Sequence, residues 1–208
     1  MMHSKSELEE RRTALLSVIH QTLKALTPRE LLRGHVRVPN VEKFDRIAVI
    51  SIGKATKTMS KAFVSLLSRK PDFNLLADTG HPLPTREGIK KTAKIIKVAR
   101  GLTERDIAFV LLSGGGSAMF TAPVSDISFE DKIATTEELI KCGATIQEIN
   151  VVRKHLSQVK GGNLARLLYP ATVYGLVISD VMDNDLSTIS SGPLSPDPST
   201  FRDALSAS

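Results

Sequence analysis

A β-strand that is apolar at every position, rather than at every second one, has to be buried on both faces. This chain has such a strand, and it ends on three consecutive glycines. After Asp106 the chain reads Ile107-Ala108-Phe109-Val110-Leu111-Leu112 and closes on Ser113-Gly114-Gly115-Gly116-Ser117. A second run, Ile47-Ala48-Val49-Ile50 within residues 44–52, stops at Gly53. A short strand is expected at residues 73–77 and a fourth at 172–179. Helical periodicity fills the intervals. It spaces Leu8, Leu15, Leu16, Ile19, Leu23 and Leu26 over residues 6–26, where Thr27-Pro28 is expected to stop the helix. It then spaces Met59, Phe63, Leu66 and Leu67, and sets Ile89, Ala93 and Ile96 opposite Lys90, Lys94 and Lys97 over residues 86–101. Those lysines read as a solvated helix face. Further helices are expected at 128–142 and 145–168, and loop from Asp183 onward up to a last segment that has barely begun a helix. Apolar strands alternating with helices define an α/β fold: a Rossmann-like three-layer domain, its sheet mostly parallel, with helices on both faces.

Composition excludes several classes. The 208 residues are 41% hydrophobic and 24% charged, with 13 Gly and 10 Pro, which is ordinary for a globular chain and rules out a disordered tail or collagenous repeat. Lys and Arg (28) exceed Asp and Glu (22), giving +6, so the surface favours anions. Aromatics are 4% and Trp is absent, which leaves few platforms for stacking bases and argues against a nucleic-acid partner. Cys142 stands alone, so no internal disulfide forms, as suits a reducing cytoplasm. No apolar run approaches the roughly 18–20 residues needed to span a bilayer. Met1-Met2-His3-Ser4-Lys5 leads into Glu9-Glu10-Arg11-Arg12 without an apolar signal region. The expectation is a soluble, cytoplasmic protein with no membrane partner.

In open α/β folds ligands bind beyond the carboxyl ends of the strands, and each unusual stretch falls there. Three glycines let a backbone approach an anion closely, the helix start behind them adds free N–H groups, and Ser113 and Ser117 add hydroxyls. The plainer reading is a strand–helix turn. Lys54, just past a strand, is placed to reach a phosphate or carboxylate, or else is a surface lysine. Asp180, Asp183 and Asp185, with Asn184 among them, make an oxygen-rich loop suited to Mg²⁺, or a solvated turn. His81, in the rigid His81-Pro82-Leu83-Pro84 stretch, reads as structural more readily than as a base. Arg153-Lys154-His155 and Lys160-Gly161-Gly162 read equally as anion binders and as helix surface. Three standard motifs fail. A Walker A loop would need Gly and Ser/Thr where Ala48 and Ala55 stand. The dinucleotide fingerprint and the nucleophile elbow both break at Met119. Glycine amides, lysines, hydroxyls and carboxylates without a dedicated nucleophile suit phosphoryl transfer, which rests on positioning and charge neutralisation.

Taken in order, Gly53-Lys54-Ala55, Gly80-His81-Pro82 with Pro84, Leu111-Leu112-Ser113-Gly114-Gly115-Gly116-Ser117-Ala118, Glu148-Ile149-Asn150-Val151-Val152-Arg153-Lys154-His155-Leu156-Ser157, Lys160-Gly161-Gly162, Ile178-Ser179-Asp180-Val181 and Ser191-Gly192-Pro193 resemble the N-terminal domain of glycerate 2-kinases of the MOFRL type. The family's usual Gly-Ala-Gly-Lys-Ala has Ser51 and Ile52 in its first two places here, and Met182-Asp183-Asn184-Asp185 replaces Pro-Gly-Asp-Asp. The resemblance implies ATP- and Mg²⁺-dependent phosphorylation of D-glycerate to 2-phosphoglycerate, in a cleft closed by a C-terminal MOFRL domain that residues 1–208 do not include. Some relatives carry the label hydroxypyruvate reductase, which the residue at Met119 does not support. The implied assignment makes Lys54 and Asp180 catalytic. It gives the cofactor to Ser113, Gly114, Gly115, Gly116, Ser117, Lys154, Lys160, Gly161 and Gly162, and the metal to Asp180, Asp183 and Asp185. The competing expectation is a non-catalytic nucleotide- or anion-binding module. A homo-oligomer is left open.

Overall fold

The computed structural model describes residues 5–206; the reading of Met1 to Ser4 lies outside them. In chain order the elements are α1 (Lys5–Ala25), α2 (Pro28–His35), β1 (Ile47–Ile52), α3 (Thr56–Val64), β2 (Phe73–Ala77), α4 (Arg86–Arg100), β3 (Ile107–Leu112), α5 (Gly116–Met119), α6 (Phe129–Lys141), α7 (Ile146–His155), α8 (Asn163–Leu168), β4 (Thr172–Val177) and α9 (Phe201–Ser206). The four strands pair in parallel in the order β2-β1-β3-β4. The central pair, β1 and β3, is buried at every position, as a continuous apolar run requires. One face of the sheet, with Ala48, Ile50 and Val110, packs on Ile95 and Ala99 of α4 and Leu164 of α8. The other, with Val49, Ile107 and Phe109, packs on Met59 and Phe63 of α3 and Leu32 of α2. Helices therefore cover both faces, and the three-layer expectation holds. Among the described residues no helix is long and apolar enough to cross a membrane.

The first helix stops at Ala25, ahead of Thr27-Pro28 as expected, and Pro28 then opens α2, where its missing N–H costs nothing. Three other local readings change. The apolar stripe of α1 meets no core: none of its residues is buried, and Leu15 and Leu23 stand 65% and 61% exposed. The helix expected over 145–168 is two helices, because Gly161 and Gly162 take φ of 55° and 80° and turn the chain between α7 and α8. Beyond β4 the chain is not plain loop. It forms 3-10 turns at Met182–Asn184 and Ile189–Ser191 before α9.

Candidate anion site at the sheet's switch point

The order β2-β1-β3-β4 reverses direction between β1 and β3, and the loops leaving these two strands open a crevice between them. Hydrogen bonds knit the loops together. Ser113 N–H donates to Ile52 O (3.0 Å), Lys54 N–H to Gly114 O (2.9 Å), and Ala55 N–H to Ser113 Oγ (3.1 Å). Gly53, at φ 110°, allows this approach: a Cβ there would stand 2.8 Å from the Ser113 carbonyl carbon. Ser113 is buried, and its hydroxyl proton goes to Ile52 O (3.2 Å). Its hydroxyl is therefore committed to holding the two loops, which corrects the expectation that it faces a ligand.

The three glycines each admit a different neighbour. A Cβ on Gly114 would collide with the Asp180 carboxylate. On Gly115, at φ 81°, it would lie 2.8 Å from His81 Cδ2 and 3.1 Å from Lys54 Cε. On Gly116 it would collide with Ser190 Oγ. The turn thus gathers Asp180, Lys54, His81 and Ser190, contributed by four separate segments, around one piece of backbone. Lys54 and Asp180 are both exposed, and their side chains have no hydrogen-bond or ion-pair partner among the described residues. The helix behind the turn is one turn long, so its dipole adds little and close backbone approach remains the main effect.

Ser117 lies on the inner side of the turn. Ser191 gives its one hydroxyl proton to Asn150 Oδ1 (3.1 Å), so Ser117 is the donor in the 2.9 Å contact between the two hydroxyls. Lys160 is fully buried, and its ammonium donates to the carbonyls of Ser117 (2.8 Å) and Phe120 (3.0 Å), closing the C-terminal end of α5. Burial, with Lys132 and Arg153 nearby, pushes the Lys160 ammonium well below the usual lysine range. A cavity of about 300 Å³ adjoins the turn, lined among others by His81, Gly115, Ser117, Lys132, Arg153 and Lys160.

Other expected site residues serve elsewhere. Lys154 is buried and pairs with Asp197 (3.4 Å). The Gly161 and Gly162 amides donate to the Ser191 (3.0 Å) and Gly192 (2.8 Å) carbonyls, so this second glycine turn docks the chain's last segment and has no N–H left for an anion. Asp185 binds the Ser187 amide (2.9 Å) and hydroxyl (2.8 Å) and the Thr188 hydroxyl, capping its own turn. Among the described residues no three His, Cys, Asp or Glu side chains gather as a ready metal cage. Asp183 and Asn184 adopt φ of 62° and 51°, and Ser190 and Ser191 adopt 55° and 60°. This left-handed backbone costs energy in non-glycine residues and clusters at functional sites. Asn150 and Ser191 stand in the motifs quoted above without a site role, and Ser190 and Lys132 lie outside them; only contacts across distant segments reveal the part they play.

The fold is that of the open parallel α/β class, whose ligands bind in the crevice at the switch point. Residues 14–208 match the family model described as "Domain of unknown function (DUF4147)", and the chain belongs to that family. The D-glycerate 2-kinase of Thermotoga maritima is 37% identical over 207 residues, covering 91% of this chain and 49% of that protein. The human glycerate kinase is 39% identical over 160 residues, covering 76% of this chain and 31% of that one. The crystal structure of the Thermotoga maritima glycerate kinase superposes with a TM-score of 0.84 at 36% identity, over 96% of this chain and 51% of that one. A Pyrococcus horikoshii protein superposes with a TM-score of 0.83 at 33% identity, over 100% and 51%. The family resemblance drawn from the motifs is thus supported, and the chain spans about half the length of the Thermotoga maritima and Pyrococcus horikoshii kinases.

Proposed function

We propose that this chain is the N-terminal portion of a glycerate 2-kinase that transfers the terminal phosphoryl group of ATP to the 2-hydroxyl of D-glycerate. The observation that carries the reading is the convergence of Lys54, His81 and Asp180 on the triple-glycine turn, in a fold shared with proteins named glycerate kinase. The residues present fit a phosphate chain. Bare backbone at Gly115 accepts close approach, and the unpaired Lys54 ammonium neutralises phosphate charge beside it. Asp180 is the carboxylate best placed to hold Mg²⁺, with Asp183 next in the same loop; one or two carboxylates suffice when phosphate oxygens complete the shell. Bound ATP and Mg²⁺ supply the phosphoryl group and screen its charge. The chain's own part is to orient the phosphates along residues 114–116 and to exclude water on the Ser117 side.

A coupled ATP-to-ADP assay with D-glycerate and Mg²⁺ tests this, run on the 208-residue chain alone and fused to the C-terminal half of the Thermotoga kinase. Turnover by the fusion and little by the chain alone is the expected result. Absence of turnover in a folded fusion, with no ATP binding by the chain, would favour the non-catalytic anion-binding module.

A further inference from the structure

We propose that the cavity beside the glycine turn is a receptor for a small oxyanion, a carboxylate or a phosphoryl group, gripped by Lys132, Arg153 and Lys160. The three cations come from three places, α6, α7 and the turn before α8, and all line one cavity of about 300 Å³. Among the described residues no carboxylate pairs with them. Glu137 is the sole acid among the lining residues; it is exposed and pairs with none of the three. What partners exist are neutral: Lys132 donates to Leu156 O (2.8 Å), and Lys160 to its two carbonyls. The Arg153 guanidinium, half-buried with five N–H donors, has no hydrogen-bond or ion-pair partner among the described residues. Carbonyls satisfy donors but leave charge uncompensated, and burying like charges together is costly without a counter-ion. The cost is visible in Lys132, which burial first, and then Arg153, holds at about 8. Pro82, Leu83, Ile133 and Ile140 line the rest, and such apolar walls strengthen attraction to an entering anion. Volume and charge fit a three-carbon hydroxy acid or a single phosphoryl group.

The proposal depends on the kinase reading only for which anion arrives, the acceptor's carboxylate or the nucleotide's phosphate. Calorimetric titration of the 208-residue chain with inorganic phosphate tests the site itself. Binding should weaken about tenfold or more in Arg153→Gln and be partly restored in Arg153→Lys, as for loss of one charge-assisted contact. Because the Arg153 side chain has no hydrogen-bond or ion-pair partner among the described residues and its charge repels Lys132, melting temperature should not fall. Binding should also take up protons, since an anion draws the Lys132 ammonium back up, and affinity should fall as pH rises from 7 to 9. The groups facing Lys132 across the cavity are Arg153, Lys160, His81 and Glu137. The slope should survive in Glu137→Gln and shrink in Lys132→Met, the depressed Lys160 ammonium keeping the remainder. Competition by D-glycerate or by ATP then identifies the natural oxyanion. Phosphate binding that needs Arg153, with neither D-glycerate nor ATP bound anywhere, keeps this site and overturns the kinase reading. Absent phosphate binding, or binding indifferent to Arg153→Gln, overturns the site and leaves the kinase reading standing.

Discussion

The two ends of the sheet treat charge in opposite ways. At the amino ends of the strands the charges are spent on one another. Asp106, fully buried, receives Arg46 through two bonds (2.9 and 2.6 Å) and the Thr103 amide (2.6 Å) and hydroxyl (2.9 Å). Asp72 caps β1 by accepting from the Ile47 amide (2.7 Å) and pairs with Arg69 (3.5 Å), while Arg105 pairs with Asp45. At the carboxyl ends Asp78, just past β2, still pairs with Lys91 (2.6 Å) and Lys57 (3.5 Å), but the side chains of Lys54, Asp180 and Arg153 have no hydrogen-bond or ion-pair partner among the described residues, and left-handed backbone accumulates at Gly53, Gly80, Gly115, Asp183 and Ser190. One end converts polar groups into stability. The other holds them back, and unspent hydrogen-bonding capacity is what a ligand uses.

The most destructive way to probe this contrast is Asp106→Ala. It strands Arg46 and removes the acceptor for Thr103, and breaking a mostly buried pair costs about 3 kcal/mol. A domain of this size should then melt roughly 6–12 °C lower. Phosphate affinity of the folded fraction should be unchanged. If affinity falls in step with stability, the two ends are not independent and the contrast fails.

Gly115→Val attacks the other end. Its φ of 81° strains any Cβ, and the branch would press on His81 and Lys54. A stability loss of about 1–3 kcal/mol is expected from the backbone strain. Calorimetric affinity for ATP or D-glycerate should fall at least about tenfold, as when a charged contact is lost. Unchanged binding of both ligands would remove the cradle from the site.

How much of this contrast the sequence discloses depends on the range of the forces involved. Continuous burial of β1 and β3 is written in every residue of those strands, so the sheet, its layers and the place of the crevice are legible. The glycine turn is legible because three glycines exceed what turning needs. The fate of Gly161 and Gly162 is not, since glycine spacing does not say which carbonyl takes the amide; here Ser191 and Gly192, about thirty residues on, do so. The stripe on α1 shows the converse limit: periodicity reports an amphipathic helix, not the presence of anything to cover it. Lys132 and Arg153 meet only through the packing of α6 and α7, so no local pattern announces their cavity.

Acid should expose the paired end first. Burial alone would raise the Asp106 carboxyl, but the bonds from Arg46 and Thr103 hold it at about 2 against an ordinary 3.8. A depressed carboxyl contributes stability above its unfolded value and loses it as pH falls toward the folded one. Urea midpoints of the wild type should therefore drop as pH falls from about 4 to about 2. Asp106→Asn, already weaker, should drop less across the same window. Parallel declines would show that the acid sensitivity lies elsewhere.

The smallest expected change in stability is the sharpest test of what the open end is for. Lys54 stands just past β1, its side chain exposed, its amide used by Gly114 O but its ammonium without a partner. Replacing it with Met keeps the stem that lies over Gly115 and deletes only the charge. Nothing in the core is touched, so stability should stay within about 0.5 kcal/mol of wild type, as for surface substitutions away from special features. If the ammonium neutralises a phosphate at the glycine turn, ATP binding should weaken about tenfold or more, since a charge-assisted contact of about 1.5–3 kcal/mol is lost. Inorganic phosphate bound in the Arg153 cavity should be affected far less. Melting several degrees lower would make Lys54 a structural residue and bring both ends of the sheet under one rule. Unaltered melting with unaltered ATP binding would leave its charge idle, and the phosphate would have to be sought at Asp180 or in the cavity instead.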